Sequence, residues 1–366
     1  MKLETVDVDC LVIGAGVAGL AVAREMSSLY SNVVIVEKNN IIGGEVSSRN
    51  SEVIHAGLYY TQGSLKHKLM FDGKERIYQF LKDRNIPYRR CGKYIISVND
   101  SETERLRAIS SNAKACGVMD TFFDTETFKI RYPFIRVNEA MFSPSTGIID
   151  SHSYMEALKD EFEMNGGHVL LNNSVTEANF KSGFVEVLVS DKNSNTQFIV
   201  RSSIAINCAG LNAPDIHNLI AGQDEAVSPR YVKGDYYSYG GKESIEHLIY
   251  PIPEQDGLGV HVTVDLGGQV KFGPSAYSVN EIDYGVDASG KEDFLKSIRA
   301  YWPGLNPDLL QPSYSGIRPK INGLDDFQII KKELNGGIFV SVLGYESPGL
   351  SASLGLSAYV SRLLDE

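Results

Sequence analysis

Cysteine is scarce in this chain: Cys10, Cys91, Cys116 and Cys208 are scattered over 366 residues, with no Cys-x-x-Cys pair. That spacing excludes a disulfide framework and a zinc knuckle, and the seven histidines show no metal-ligand spacing either, so no metal site is expected. Clustered positive charge is also missing. With 35 Lys and Arg against 46 Asp and Glu the net charge is -11, which excludes a surface built to neutralise nucleic-acid phosphates. An anionic small molecule therefore has to find a local basic pocket. No run approaches the roughly 18–20 apolar residues needed to cross a bilayer. Met1 to Asp9 carries Glu4, Asp7 and Asp9 in place of the basic start of a secretion signal. These absences predict a soluble protein with the cytoplasm as its location, peripheral contact with a membrane staying open.

Hydrophobic residues make up 43% of the chain and charged residues 22%, ordinary globular usage that leaves ample material for a core. The length exceeds what one core usually supports, so two lobes are expected. Val8 to Ile13 is a short apolar run bounded by glycine and reads as a buried parallel strand. Ala18 to Leu29 has helical spacing, and Val33 to Val36 reads as a second strand. Further on, Leu65 to Arg84 reads as a helix and Lys93 to Val98 as a strand. Ser101 and Glu104 have the spacing of a helix-starting capping box. Val185 to Val189 and Phe198 to Arg201 alternate like a hairpin around Asp191 to Asn195. Ser203 to Asn207 and Gly337 to Leu343 look like buried parallel strands, and the stretch between them, from Tyr231 to Gly273, like an antiparallel sheet rich in Tyr, Val and Gly. Lys66-His67-Lys68 reads as a solvated helix face and Lys331-Lys332 as a turn.

The strongest local motif is Gly14-Ala-Gly16-Val17-Ala-Gly19, set between a strand and a helix. The first glycine permits a tight turn, the second lets a pyrophosphate reach backbone amides at the helix N-terminus, and the third lets helix and strand pack closely. Glu37 ends the next strand 18 residues after Gly19, where a ribose-binding carboxylate is expected. A carboxylate there repels a 2′-phosphate, which leaves FAD or NAD. Gly43-Gly44-Glu45-Val46-Ser47-Ser48-Arg49-Asn50-Ser51 follows directly. Its small and hydroxylated residues suit a loop running along a ribityl chain and diphosphate, and this favours FAD.

That loop continues into Glu52-Val53-Ile54-His55-Ala56-Gly57-Leu58-Tyr59-Tyr60. Here the chain resembles the D-amino-acid-oxidase-like superfamily of FAD-dependent oxidoreductases, and within it the L-2-hydroxyglutarate dehydrogenase/oxidase family. The resemblance extends through Lys233-Gly234-Asp235-Tyr236-Tyr237, Tyr250-Pro251, Gly259-Val260-His261, Gly273-Pro274-Ser275-Ala276, Gly316-Ile317-Arg318-Pro319 and Ser347-Pro348-Gly349-Leu350. Two departures stand out, Glu52 where the family usually has Gly and Ser275 where it has Asn.

The resemblance implies an α/β fold: a Rossmann-like FAD-binding domain of the glutathione-reductase type, with an α+β antiparallel-sheet substrate domain inserted in pieces. The expected boundaries are 1–85, 144–228 and 311–366 for the FAD domain, and 86–143 and 229–310 for the substrate domain. Expected cofactor contacts are Gly14, Gly16, Val17, Gly19, Glu37, Lys38, Gly44, Ser47, Ser48, Asn50, Ser51, Val175, Ala209, Gly210, Gly316, Gly349, Leu350 and Ser351. The implied reaction is oxidation of a small 2-hydroxy acid, L-2-hydroxyglutarate, to the 2-oxo acid. A hydride passes from C2 to flavin and the hydroxyl proton to a base. His261 is the candidate base and His55 a flavin-side residue, with the two roles exchangeable. Arg318 is the candidate clamp for a carboxylate. Lys233, Arg49, Lys320, Tyr59, Tyr236 and Tyr250 are unranked candidates for the second carboxylate. Turnover needs an electron acceptor: oxygen, a quinone or a soluble carrier. The alternatives on the same fold are an amino-acid, sarcosine or glycine oxidase, or a glycerol-3-phosphate-type dehydrogenase; a flavin-bound partner subunit with no turnover is a third. A disulfide reductase is excluded by the missing cysteine pair.

Overall fold

A computed structural model describes residues 3–252 and 259–366; the first two residues of the acidic N-terminus lie outside it. β1 (Glu4–Ile13) enters the glycine turn and continues into α1 (Val17–Ser27), and β2 (Val33–Glu37) returns beside it. β3 (Val53–Ile54) leads to α2 (Leu65–Asp83), which starts where the Ser64 hydroxyl accepts a hydrogen bond from the His67 N–H. β4 (Tyr88–Arg89) and β5 (Lys93–Ser97) precede α3 (Asp100–Ala115). The start of α3 differs from the capping box read at Ser101 and Glu104. Asn99 is the cap, its side chain accepting from the Glu102 N–H, and the Glu102 carboxylate reaches back to the Val98 N–H at 2.8 Å. Any of Asn, Asp and Ser can cap, and Asn99 is the first of the three here. β6 (Phe122–Phe123), α4 (Thr125–Arg131), β7 (Glu139–Ser143), β8 (Gly147–Ile149) and α5 (Ser151–Met164) follow.

β9 (His168–Leu171) and β10 (Asn173–Lys181) lead into the expected hairpin, β11 (Phe184–Asp191) and β12 (Thr196–Asn207). The separate strand expected from Ser203 is the second half of β12. Its first half pairs antiparallel with β11 and its last residues, Ile204 to Asn207, pair parallel with a late strand. After α6 (Ala213–Asn218) come β13 (Pro229–Tyr239), β14 (Leu248–Pro251), β15 (Val262–Val264), β16 (Val270–Phe272) and β17 (Tyr277–Val279). α7 (Lys291–Tyr301), β18 (Leu310–Ile321), β19 (Gln328–Leu334), β20 (Gly337–Leu343) and α8 (Gly349–Asp365) complete the chain. Lys331 and Lys332 thus lie in strand β19 and not in a turn.

Among the described residues the strands form three sheets. The first runs β10-β11-β12-β1-β2-β9 and gains β20 beside β12 and β19 beside β20; its centre, β12-β1-β2-β9, is parallel. One face carries α1, α2, α5 and α8 over a core that includes Val12, Leu20, Met26, Ile77, Leu158 and Leu356. The second runs β17-β13-β16-β15-β14-β5-β7-β6 with β18 on β13, and packs Phe272, Phe294 and Trp302 beneath α7. A third, small sheet runs β3-β8-β4. Pairing puts all of β18 in the second sheet, from Tyr239 opposite Leu310 to Pro229 opposite Ile321. The β13–β18 ladder thus carries the pairing of the second sheet through residues 311–321, which the sequence pattern of either strand alone does not reveal.

Glu52 explains its departure from the family pattern. Its φ is +53°, a left-handed conformation that glycine adopts at little cost and other residues at about 1–2 kcal/mol. The carboxylate compensates: it accepts from the Ser151 N–H at 3.1 Å and the Ser151 hydroxyl at 2.7 Å, at the otherwise unpaired donors of the first turn of α5. Replacing Glu52 by Ala keeps the strain and removes the hydrogen bonds to Ser151, while Asp150 still caps α5, so a loss of about 1–2 kcal/mol is expected. Glu52→Gly relieves the strain while losing the same hydrogen bonds and is expected to be closer to neutral. Thermal melts of both variants check this ordering, which an equally destabilised pair contradicts.

Candidate active site

A cavity of about 800 Å³ runs from the N-terminus of α1 to the second sheet, near the upper end of the roughly 300–1,000 Å³ typical of ligand sites. At its outer end the glycine turn is compact. A Cβ on Gly14, whose φ is +100°, would lie 2.7 Å from the Cys208 carbonyl oxygen, and one on Gly19 would lie 1.9 Å from that of Gly14. Helix and strands can approach this closely only without side chains. Gly16 caps α1 with no side-chain hydrogen bond, and the first turn holds no acid. The Ser47 hydroxyl meets the Val17 N–H at 2.9 Å. Apart from that bond, this helix end faces the cavity with no acid in its first turn to offset its partial positive charge. Glu37 accepts from the Ala15 N–H at 2.8 Å and the Asn39 N–H at 2.9 Å, which leaves a lone pair on each oxygen for ribose hydroxyls. Lys38 stands beside it, bonded to Asn212 at 2.6 Å and paired with Glu45 at 2.7 Å.

Further in, Gly44, Asn50, Ser51, Val175, Ala209 and Gly210 line the walls. At Gly316 an added Cβ would lie 2.1 Å from the Arg49 carbonyl oxygen, so β18 and the serine-rich loop touch backbone to backbone. Gly349 and Leu350 bring the N-terminus of α8 to the same wall, again without a side-chain cap. Two uncapped helix starts, a ribose-type carboxylate and a long narrow groove between them fit the parts of FAD: a diphosphate, an adenosine ribose and an electron-rich flavin edge. Gly14, Gly16, Val17, Glu37, Ser47 and the α8 terminus are the residues that would hold it.

The inner end carries the reactive side chains. His55, Tyr59, Tyr60, Tyr236, Tyr250, His261, Arg318, Lys320, Glu346 and Lys66 all line it. The His55 backbone N–H donates to the Ser351 hydroxyl at 2.9 Å, and its Nε2 lies 3.4 Å from the Ser347 hydroxyl. The His261 ring stacks on Tyr250, with centroids 3.6 Å apart and planes 9° from parallel. The Tyr236 and Ser51 hydroxyls bond at 2.8 Å. Buried Glu346 gathers three cations, Lys66 and Lys320 at 2.8 Å and Arg318 at 3.8 Å. These cations hold its carboxyl below the usual range although burial opposes this.

Several expected site residues lie elsewhere. Gly19 serves the packing of α1 against β1 and is off the cavity wall. The Ser48 hydroxyl turns away to donate to the Gly43 carbonyl. Ser351 lies a turn into α8, where its hydroxyl holds the His55 backbone and the Val53 carbonyl instead of the cavity. Lys233 is buried against Asp283 at 3.0 Å. Side chains alternate along a strand, so Gly234 and Tyr236 of β13 face the cavity and Lys233 faces away. Arg49 lines the cavity, but its guanidinium is spread over the Tyr284 ring, 4.2 Å from the centroid.

Two functional residues were missed in the sequence. Lys66 reads there as solvated, yet its ammonium turns inward to Glu346 and the Asp325 carbonyl, while Lys68 alone of that triplet is exposed. Glu346 sits next to the Ser347-Pro348 motif but gave no signal, since its role depends on cations brought from α2 and β18.

Comparison with known proteins agrees with this geometry. A sequence profile described as "FAD dependent oxidoreductase" matches residues 9–363. The L-2-hydroxyglutarate dehydrogenase, mitochondrial, of Arabidopsis thaliana is 34% identical, covering 97% of this chain and 83% of that protein. The glycerol 3-phosphate dehydrogenase of Caloramator mitchellensis is 28% identical, over 97% and 73% respectively. Among solved structures, the reduced L-α-glycerophosphate oxidase of Mycoplasma pneumoniae with FAD bound superposes with a TM-score of 0.87 at 23% identity, covering 99% of this chain and 95% of that one. That last likeness is one of fold.

Burial, reinforced by the neighbouring Lys93, His261 and Arg318, pushes the His55 imidazolium down to about 3. Burial likewise lowers His217 and His247. A histidine that refuses a proton when folded accepts one when unfolded below its ordinary value near 6.5. Stability therefore falls as pH drops through 6.5, at roughly 1.4 kcal/mol per pH unit for His55. Thermal melts of the apoprotein between pH 7 and 4.5 are expected to show this slope and His55→Gln to flatten it. Parallel curves for the two proteins would contradict the neutral-ring assignment.

Proposed function

The chain belongs to the FAD-dependent oxidoreductases, and from that footing we propose that it oxidises L-2-hydroxyglutarate to 2-oxoglutarate. The observation that carries this reading is the charge at the inner end of the cavity, where three cations share one carboxylate. An excess of fixed positive charge in a chain of net charge -11 suits a small dianion. The 34% identity to a plant L-2-hydroxyglutarate dehydrogenase supports the same substrate.

Bound FAD supplies the acceptor for the hydride that leaves C2. The protein supplies the rest. In this reading Arg318 takes the carboxylate next to the reacting carbon through two parallel hydrogen bonds, and Glu346 keeps its guanidinium aimed inward. Lys66 and Lys320 meet the second carboxylate. His55 accepts the hydroxyl proton at Nε2, and Ser347 orients the ring. Burial, with Arg318 beside it, keeps the ring free to accept a proton before the substrate arrives. The two negative charges of the substrate then raise its proton affinity for the step that needs it. What supports His55 over His261 is this freedom, together with the stacking that commits the His261 ring face to Tyr250. The Tyr59, Tyr60, Tyr236 and Tyr250 rings wall the site and limit water. A second acceptor, whether oxygen, a quinone or a soluble carrier, completes turnover.

A glycerol-phosphate reading has one observation in its favour, the 28% identical glycerol 3-phosphate dehydrogenase, since a phosphate dianion beside a hydroxyl suits the same cations. Anaerobic mixing of the yellow enzyme with L-2-hydroxyglutarate, its D-isomer, glycerol 3-phosphate, glycine and sarcosine separates the readings. Rapid bleaching by L-2-hydroxyglutarate alone is expected; bleaching by glycerol 3-phosphate or an amino acid without it overturns the proposal. His55→Ala is expected to slow bleaching about 10²–10⁴-fold with little change in 2-oxoglutarate binding, whereas Arg318→Lys is expected to weaken that binding.

A further inference from the structure

Lys93, the first residue of β5, is 1% exposed. Its ammonium lies 4.6 Å from the Tyr250 ring centroid and 5.0 Å from that of Tyr59. The His261 ring covers Tyr250 at 3.6 Å, so Lys93 occupies the opposite face. The order is Tyr59, Lys93, Tyr250, His261, and the three ring residues line the inner cavity. Among the described residues no ion pair joins Lys93 to a carboxylate, and the contacts of its amine are with the faces of these two rings. Every other buried or half-buried cation at this end, Lys66, Lys320 and Arg318, shares Glu346. An unpaired buried ammonium is destabilising, and cation–π contact with two rings offsets that only in part.

We propose that Lys93 is the counter-charge the cavity gains with its substrate. It takes up one proton from solvent on its amine nitrogen as the dicarboxylate enters, and the resulting ammonium stabilises the dianion across Tyr59 and Tyr250. Lys93 is thus a positioning residue for charge, separated from the substrate by one layer of aromatic ring. The inference rests on the hydroxy-dicarboxylate reading above.

The surrounding groups are compatible with it. Tyr59 and His55 face Lys93 from the loop after β3, and Tyr250 from β14, with Arg318 and His261 beyond; Cys91 lies just before β5. Across β7 its neighbour is Ser143, and the acid of that strand, Glu139, sits opposite Ser97 at the far end and pairs with Arg107. On α3 the nearest acid, Glu102, is bonded to the β5 end at Val98. Burial raises the Tyr59, Tyr250 and Cys91 groups and lowers His55, so all four are neutral near pH 7. Burial also brings Lys93 down to about 7. Without ligand its amine is then largely neutral above pH 7, and an arriving anion draws a proton to it.

The test uses the oxidised holoenzyme and 2-oxoglutarate, which binds without turnover. In weakly buffered solution at pH 8 a pH-indicator dye is expected to report uptake approaching one proton per ligand bound. Lys93→Met is expected to abolish the uptake and to weaken binding about tenfold at pH 7, while raising the Tm of the apoprotein. In wild type the Kd is expected to rise by up to tenfold per pH unit above 7; in Lys93→Arg, whose charge is permanent, it stays flat and tight. Proton uptake that persists in Lys93→Met assigns the proton to another group such as His261 and overturns the inference, as does unchanged affinity in that variant. Wild-type enzyme that binds no 2-oxoglutarate overturns the substrate reading and the inference with it, whereas binding without Lys93-dependent uptake overturns the inference alone.

Discussion

Everything at the cofactor end depends on three backbones meeting without side chains. The Gly14 turn presses on the Cys208 carbonyl at the end of β12, and Gly19 brings α1 down onto the carbonyl of Gly14. This contact sets the angle at which α1 leaves the parallel sheet and so where its uncapped N-terminus points. It also fixes the distance between Glu37 on β2 and the Ala209-Gly210 turn, the two sides of the groove. Apolar packing of α1, α2, α5 and α8 supplies the stability, but the close contact supplies the geometry. A methyl group at either glycine would push apart layers that interiors pack at near-crystalline density.

At the other end the governing term is electrostatic. A chain with a large negative net charge keeps a pocket where positive charge exceeds negative, by gathering Arg318, Lys66 and Lys320 around one buried carboxylate. The cluster costs desolvation energy, and its cohesion depends on Glu346 remaining ionised. Burial, with Arg318 of that cluster nearby, keeps His55 unprotonated. Lys93 extends this logic into the wall, where a buried amine lies against two tyrosine rings. Such an arrangement favours anion binding over stability, a common compromise at functional sites.

Much of this was legible in the chain itself. The glycine turn, Glu37, the serine-rich loop and the parallel strands at 8–13, 33–36 and 337–343 depend on local rules: tight turns need glycine and buried parallel strands read as short apolar runs. The candidates His55, His261, Arg318 and Tyr236 line the cavity. The failures share one physical cause. Lys233 sits in a motif that resembles the family's, yet strand alternation turns it away from its neighbours Gly234 and Tyr236. Lys66 looks solvated until α8 and β18 bring Glu346 and Lys320 to it.

Sequence alone determined the cofactor class, the order of elements and the residue types available for chemistry, because those follow from backbone freedom and from spacing along one chain. Tertiary structure decided which charges meet. The ion cluster at Glu346 draws on α2, β18 and the turn before α8, and the Tyr59–Lys93–Tyr250–His261 stack on four separate segments. Coulomb energies depend on distance and local dielectric, and both are set only when residues far apart in the chain are buried side by side.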